Sequence, residues 1–517
     1  MIGRLERASA RPALAALIVL IAGLLVYFPR LGVEGLRSTE GHRAIPAWEI
    51  LSTGEWLPTR LFETVYVRKP PGMPWAIAAA SSVLGETELA ARIVSALSVT
   101  AMGLVAFFFA GRWFGWRTAV IAGLAQTLMP RLWSAGRTAD IEALLCLGVQ
   151  IAALTMVDAL AERGGARPPA SRWAWAVLGA AGLIIAVLAK AHAGLPVIAG
   201  VIAAALVVHR RPRVLLRPEF AGAIVLALAA LTPLAFRYAR LLQQEAGVSE
   251  DFSRFLWSLD RLGEWATFPV VVTLSGLPAA LALMFPWGPD ARREAESDAA
   301  RGAQLRLARC LGVAFFCAIG VYMLFGVSNP RYAMPALVLL PPIAGYVAAG
   351  TLGGWFMPAR RAIARLCVLG SVPALTGVML VLAGLNIGVF EPRDARSSAR
   401  PAAAAVAPAL PDGAQVWADG FVRAKPELLW YAARDAGRLG ARVRCLWKHR
   451  EIAAAVLPAP GVFLLLNERE YARYVEAGHG PALEERARGV ADTTPFGIWR
   501  VKAPADGAPA ADGPAAR

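Results

Sequence analysis

Apolar runs of about 17–23 residues, each long enough to cross a hydrocarbon core roughly 30 Å thick, recur from Pro12 and stop near Phe390. Short arginine-rich segments separate them: Arg112 and Arg117; Arg163, Arg167 and Arg172; Arg210, Arg211, Arg213 and Arg217; Arg292, Arg293, Arg301 and Arg306; Arg360, Arg361 and Arg365. Lys and Arg in short loops mark the cytoplasmic side. Placing all of these there with the N-terminus predicts eleven spans, up to thirteen. The eleven lie near 12–29, 92–111, 118–134, 141–159, 173–189, 194–209, 220–237, 267–287, 309–326, 333–351 and 366–389. The C-terminus then lies outside. The first run follows Arg4, Arg7 and Arg11 and ends without an A-x-A-like cleavage site, so it reads as a retained anchor.

One apolar run, 72–85, is too short to cross and reads as an interfacial helix. Residues 30–91 thereby become one long outer loop. It carries Arg37, Glu40, His42, Arg43, Glu49, Arg68 and Lys69 against the positive-inside bias. Cations kept on that side point to an anionic ligand there.

Beyond the last run the pattern changes. Residues 392–412 are rich in Ala and Pro and read as a linker. Strand-like VWADGF, VRCLW, GVFLLL and FGIWRV then alternate with helix-like PELLWYAARDAG, HREIAAAVL and EREYARYVEA. This predicts a small α/β domain over 413–502 outside the membrane, after a transmembrane domain over 1–391. The tail, 503–517, has a disordered composition.

Composition agrees with a membrane protein: 57% hydrophobic residues and mean hydropathy +0.50, against about 45–50% apolar in ordinary globular chains. The net charge of +16 sits largely in short loops without an aromatic-interleaved basic stripe. It fits anionic headgroups and gives no support for nucleic acid. Five dispersed cysteines give neither a disulfide framework nor a CxxC site. No phosphate-binding GxxxxGK[ST] loop, GxGxxG turn or HExxH helix occurs, so no motif marks a cofactor or metal, and a divalent metal stays open.

The candidate chemistry lies in the outer loops. Glu40 and Asp140 are carboxylates suited to acid–base work. Arg68 and Lys69 precede Pro70 and Pro71, and a helix starting at Gly72 would aim its positive end at an anion. Lys190 lies at the outer end of a span, as either a phosphate ligand or an interfacial anchor. Asp140 and Thr138 are also suited to capping the helix that follows.

The stretch TEGHRAIPAWEILSTGEWLPTRLFETVYVRKPPGMPWAIAAASSVLGETELAARIVSAL resembles the first outer loop of the polyprenyl-phosphate-dependent glycosyltransferases, in particular the aminoarabinose–lipid A transferase and protein O-mannosyltransferase group. Their acidic pair, GdW turn, Tyr-x-x-Lys-Pro-Pro element and ARl element stand here as Thr39-Glu40, Gly54-Glu55-Trp56, Tyr66 to Pro71 and Ala91-Arg92-Ile93. RTADIEALL around Asp140, LAKAHAGLPV around Lys190 and NPRYAMPALVLLPP around Arg331 resemble further elements of the same group. The resemblance covers about the first 390 residues. It implies a GT-C fold, an all-α polytopic bundle, and transfer of a sugar from polyprenyl phosphate to an extracytoplasmic acceptor such as a glycolipid, glycan or protein. It implies that Lys69 binds the donor phosphate; Arg68, Arg331 and Lys190 join it by charge and position. His42, Arg43 and Tyr66 are candidates for positioning the acceptor or the loop. The family's usual base, the first acid of the pair, is Thr39 here, which leaves Glu40 as the expected base and Asp140 as the alternative. A transporter or flippase of lipid-linked sugars is the competing class. Transporters hold ionisable groups near the bilayer midplane, whereas these cluster at span ends, which favours a transferase of the bacterial inner membrane.

Overall fold

The computed structural model describes residues 2–503 except 38, 63, 162–168, 211, 245–261, 288–297, 373, 375–376, 379–380, 382–398, 412–413, 419–424, 436–442, 446–458 and 492–493. It is a helical bundle with a small mixed sheet near the C-terminus. The bundle begins with α1 (Ile2–Tyr27), which packs against α4 (Glu88–Phe114) and α5 (Trp116–Thr127). After α6 (Pro130–Arg137), α7 (Ile141–Leu160) runs along α8 (Pro169–Lys190). The next helix, α9 (Leu195–Val207), packs on the helix Ala299–Leu324. These are continuous apolar sequences, and a helix satisfies its own backbone groups, as a bilayer interior requires.

Five helices among the described residues are long and apolar enough to cross a membrane, or seven if two bent pairs each count as one span. One of the five, Ala170–Val207, turns at Lys190–Gly194, where Ala191 adopts φ 41°. A Cβ built on Gly194 would lie 3.8 Å from that of Ala186, so the chain doubles back, as spans 173–189 and 194–209 require. Elsewhere the helices depart from the sequence reading. The run 118–134 is two helices of 12 and 8 residues, interrupted at Leu128–Met129 before Pro130. The run 267–287 is bent by 107° between Ser275 and Ala279, where Gly276 and Pro278 interrupt the helix. Most of 366–389 lies outside the described residues.

The predicted outer loop is a folded unit. It contains α2 (Gly41–Thr53), a short hairpin of β1 (Arg60–Leu61) and β2 (Thr64–Val65), and α3 (Gly72–Leu84). At 13 residues, α3 is too short to span, as its run length predicted.

The sheet has the order β4-β3-β5-β7-β6, from β3 (Val416–Ala418), β4 (Val443–Cys445), β5 (Phe463–Asn467), β6 (Leu483–Ala491) and β7 (Thr494–Val501). β3 is parallel to β4 and β5, while β7 is antiparallel to β5 and β6. Side chains alternate across a strand, and β5 uses both faces: Phe463 and Leu465 enter one core, Leu464 and Leu466 the other. The polar β6 was absent from the strands read in the sequence. Part of the expected linker is a helix, Ala399–Val406, with Ala402, Ala403 and Val406 buried; small side chains let it lie close on the neighbouring elements. The tail 504–517 lies outside the described residues.

Candidate active site

The charged residues gather at one end of the bundle. α4 and α7 begin there and α8 ends there, as does Ala299–Leu324, whose Tyr322 hydroxyl donates to Ala193 O at 2.8 Å. The organising residue of the loop is Arg92, 2% exposed, in the ARI element. Its guanidinium donates to Leu31 O at 3.0 Å, Glu34 O at 2.7 Å and Gly35 O at 2.7 Å. It also grips Glu40, with Nε on Oε1 and Nη2 on Oε2, both at 2.8 Å.

Glu40 is 2% exposed, and its oxygens further accept from Arg37 N at 2.9 Å and Ala139 N at 2.8 Å. A general base must reach the proton it removes. The Arg92 and Glu40 side chains are 2% and 3% exposed, whereas those of Arg331 and Asp140 are 36% and 15% exposed, so the sealed Glu40 is not carried forward as the base. Its geometry is that of a strut joining the first loop to the segment before Asp140.

Asp140 is the next residue along. Ser95 Oγ accepts from Asp140 N at 3.1 Å and donates to Asp140 O at 3.2 Å. The carboxylate caps α7 by accepting from Glu142 N at 3.1 Å, as the sequence allowed, and does more. Arg331 Nη2 lies 2.9 Å from Oδ1 and 3.0 Å from Oδ2. Arg331 comes from the 3₁₀ turn Pro330–Ala333, which Asn329 caps by accepting from Arg331 N at 3.0 Å. Arg331 Nε also sits 3.5 Å from Glu142, which is 1% exposed and paired with Lys190. The Lys190 ammonium lies 4.3 Å from the centre of the Tyr332 ring, within cation–π range.

Lys69 is fixed through its backbone. Tyr238 donates its hydroxyl to Val67 O and, at 2.6 Å, to Lys69 O. Gly72 then meets the end of α8: a Cβ there would lie 2.6 Å from Leu188 O, so only glycine allows α3 to start so close to Lys190. His192, in the turn after α8, is held below the ordinary histidine pKa by partial burial, then by the Lys69 and Lys190 ammonium groups. Arg68, half-buried, precedes Lys69. His42, Arg43 and Tyr66 fall inside the folded loop. Arg43 is buried and donates to Thr39 O; the His42 ring is 6.1 Å from that of Tyr66; Tyr66 O accepts from Thr59 Oγ1 at 2.7 Å.

Sequence reasoning thus named Asp140, Lys190 and Arg331, which meet here, and Lys69 beside them. It missed Glu142, Tyr332 and Tyr238. Glu142 had a signal, since an acid at the second position of an apolar helix needs a partner when buried.

The fold is a helical bundle with a charged cluster at one end and a small α/β unit folded against it, and known proteins share it. Residues 68–236 match the family model described as dolichyl-phosphate-mannose-protein mannosyltransferase, a segment that includes Lys69, Asp140 and Lys190. The chain is 35% identical over 96 residues to the undecaprenyl phosphate-alpha-4-amino-4-deoxy-L-arabinose arabinosyl transferase of Pseudomonas savastanoi pv. phaseolicola. That alignment spans 18% of this chain and 18% of the relative's length. In fold, the chain is similar to ArnT from Cupriavidus metallidurans bound to undecaprenyl phosphate, with a TM-score of 0.67, 19% identity, and coverage of 95% of this chain and 99% of that one. The apo form of that protein gives a TM-score of 0.66 at the same identity and coverage.

Proposed function

We propose that this chain is an integral-membrane glycosyltransferase that moves a sugar from a polyprenyl-phosphate donor to a hydroxyl acceptor outside the cytoplasm. The observation that carries the reading is the meeting of Lys190 and Arg331 with Asp140 and Glu142, with Lys69 beside them, in a fold shared with a protein that binds undecaprenyl phosphate. Cations aimed at a departing phosphate stabilise the charge that develops as the sugar–oxygen bond breaks. In this mechanism the acceptor oxygen attacks the anomeric carbon, the polyprenyl phosphate leaves with the bonding electrons, and Asp140 takes the acceptor's proton. Arg331 orients the Asp140 carboxylate and contributes charge toward the phosphate. Lys69, Lys190 and Arg68 bind the phosphate; Glu142 holds Lys190 and Arg331 in place; Glu40 positions the segment that carries Asp140.

The same reading places the N-terminus in the cytoplasm and the C-terminal domain outside the inner membrane. Arg301 and Tyr322 lie on one helix. At about 1.5 Å per residue the basic turn falls roughly 30 Å from the site, a bilayer core away, which supports a cytoplasmic far end.

The test is mass spectrometry of lipid-linked sugars and envelope glycoconjugates in a strain lacking the chain. A polyprenyl-phosphate sugar should accumulate and one glycoconjugate should lose a sugar. Restoration by the parent chain but not by Lys69→Ala is expected; unchanged lipid-linked sugars would overturn the proposal.

A further inference from the structure

The C-terminal domain has no role in the chemistry just described, yet its contacts converge on the loop that supports Asp140. Its core is continuous with that loop: Leu36, Ala44 and Trp48 share one buried cluster with Leu428, Tyr431 and Ile498, and the same cluster takes in Ala139 and Ile141 beside Asp140. The Trp48 and Trp430 rings lie 4.6 Å apart. Gly41 faces the domain so closely that a Cβ would lie 3.1 Å from Glu427 N.

At the centre of this seam is a polar knot. Tyr431, 1% exposed, accepts from Leu36 N at 2.6 Å and donates to Glu88 Oε1 at 2.8 Å. Arg400, from the helix Ala399–Val406, also binds Glu88 Oε1, and its guanidinium lies 5.2 Å from the Tyr431 ring centre. Glu88 and Arg92 are one turn apart at the start of α4 and so share a face. Arg92 fixes the carbonyls of Leu31, Glu34 and Gly35; Tyr431 fixes the next amide, Leu36. Together they hold residues 31–36 from both sides, and four residues on Glu40 takes hold of Ala139 N. Burial and the Glu88 carboxylate push the Tyr431 phenol above its ordinary pKa, so it stays a donor throughout the physiological range.

We infer that Tyr431 is a positioning residue for the candidate site: the C-terminal domain, through its hydroxyl, sets the loop 31–40, and Glu40 passes that position to Ala139 and Asp140. This rests on the transferase reading of the site. It gives the domain a part in acceptor activation while leaving the donor phosphate to residues just before α3, at the end of α8 and in the Pro330–Ala333 turn. Loss of the hydroxyl leaves Leu36 N–H and the Glu88 carboxylate each one partner short, and a shift of about 1 Å at a reacting group costs up to about 10²-fold.

The experiment compares full-length parent, Tyr431→Phe and Tyr471→Phe by transfer kinetics and by amide hydrogen exchange. Tyr471 belongs to the same domain, stacks on Trp499 at 4.7 Å and faces away from the seam, so it controls for general loosening. Tyr431→Phe keeps the ring in the core. It should lower kcat between about 10- and 100-fold with donor KM unchanged, and speed exchange at both Leu36 and Ala139. Tyr471→Phe should match the parent on every count. Glu88→Gln, which keeps volume and removes charge, should move the same readouts in the same direction and serves if Tyr431→Phe does not fold. Parental exchange at Ala139, or equal kcat changes in the two tyrosine variants, would overturn the inference. If the parent transfers no sugar from a polyprenyl-phosphate donor, the transferase reading fails on its own, and exchange at Ala139 still decides whether Tyr431 reaches the site.

Discussion

Glu40 and Asp140 are both carboxylates of the outer loops, and their surroundings separate their roles. Removing one member of a buried ion pair leaves the other charged and unpaired, at a cost of about 3–5 kcal/mol. Glu40→Gln should therefore lower thermal stability and activity together, because Arg92 loses its counter-charge. Asp140→Asn should leave the fold near parental, since asparagine also caps helices, while transfer falls by about 10²–10⁴-fold, the range for loss of a general base. Melting curves beside transfer assays distinguish the two; a stable, inactive Glu40→Gln would restore Glu40 as the base. His192 supplies a spectroscopic check. Partial burial, then the Lys69 and Lys190 ammonium groups, hold its pKa below the ordinary histidine value, and an anion bound between those cations would relieve the second part of that pressure. Its imidazole pKa, followed by NMR, should rise when undecaprenyl phosphate is added; an unmoved titration would place the phosphate elsewhere. Lys69, Asp140, Lys190 and Arg331 were legible in the sequence because a charge beside an apolar run is conspicuous. The pairing of Glu40 was not, because its partner Arg92 lies 52 positions away and nothing local announces the pair.

Among the elements, run length and its interruptions predicted most helices. The 13-residue α3 was recognised as non-spanning by length alone. Where apolar sequence continues through a break, as at Leu128–Pro130 and Gly276–Pro278, hydropathy sees one span and the backbone makes two pieces. The helix Ala399–Val406 was read as linker because Ala and Pro carry little amphipathic signal, and polar β6 escaped because it lies at the sheet edge. The approach of α3 to α8 was equally hidden, resting on one glycine. Gly72→Val should press into the Leu188 carbonyl, costing about 1–3 kcal/mol by overpacking and shifting Lys69. Donor affinity should then fall even with Lys69 intact; unchanged donor binding would show that the α3–α8 contact does not set Lys69.

At the scale of the whole molecule, a basic end and a chemical end lie on opposite sides of one apolar bundle, and the C-terminal domain shares its core with the chemical end. On the proposed transferase reading, the domain lies on the acceptor's side of the membrane. An alkaline phosphatase fusion after Lys502 should be active and one after Arg361 inactive; the reverse pattern would invert the orientation. The central claim is that the Lys69–Lys190–Arg331 cluster binds a polyprenyl phosphate. The most direct test is binding of undecaprenyl phosphate to the purified full-length chain, parent beside Lys69→Ala. A charge-assisted contact contributes about 1.5–3 kcal/mol, so the account predicts parental binding and a loss of roughly 10- to 150-fold in the variant with its melting temperature preserved. Equal affinity in the two proteins would contradict it.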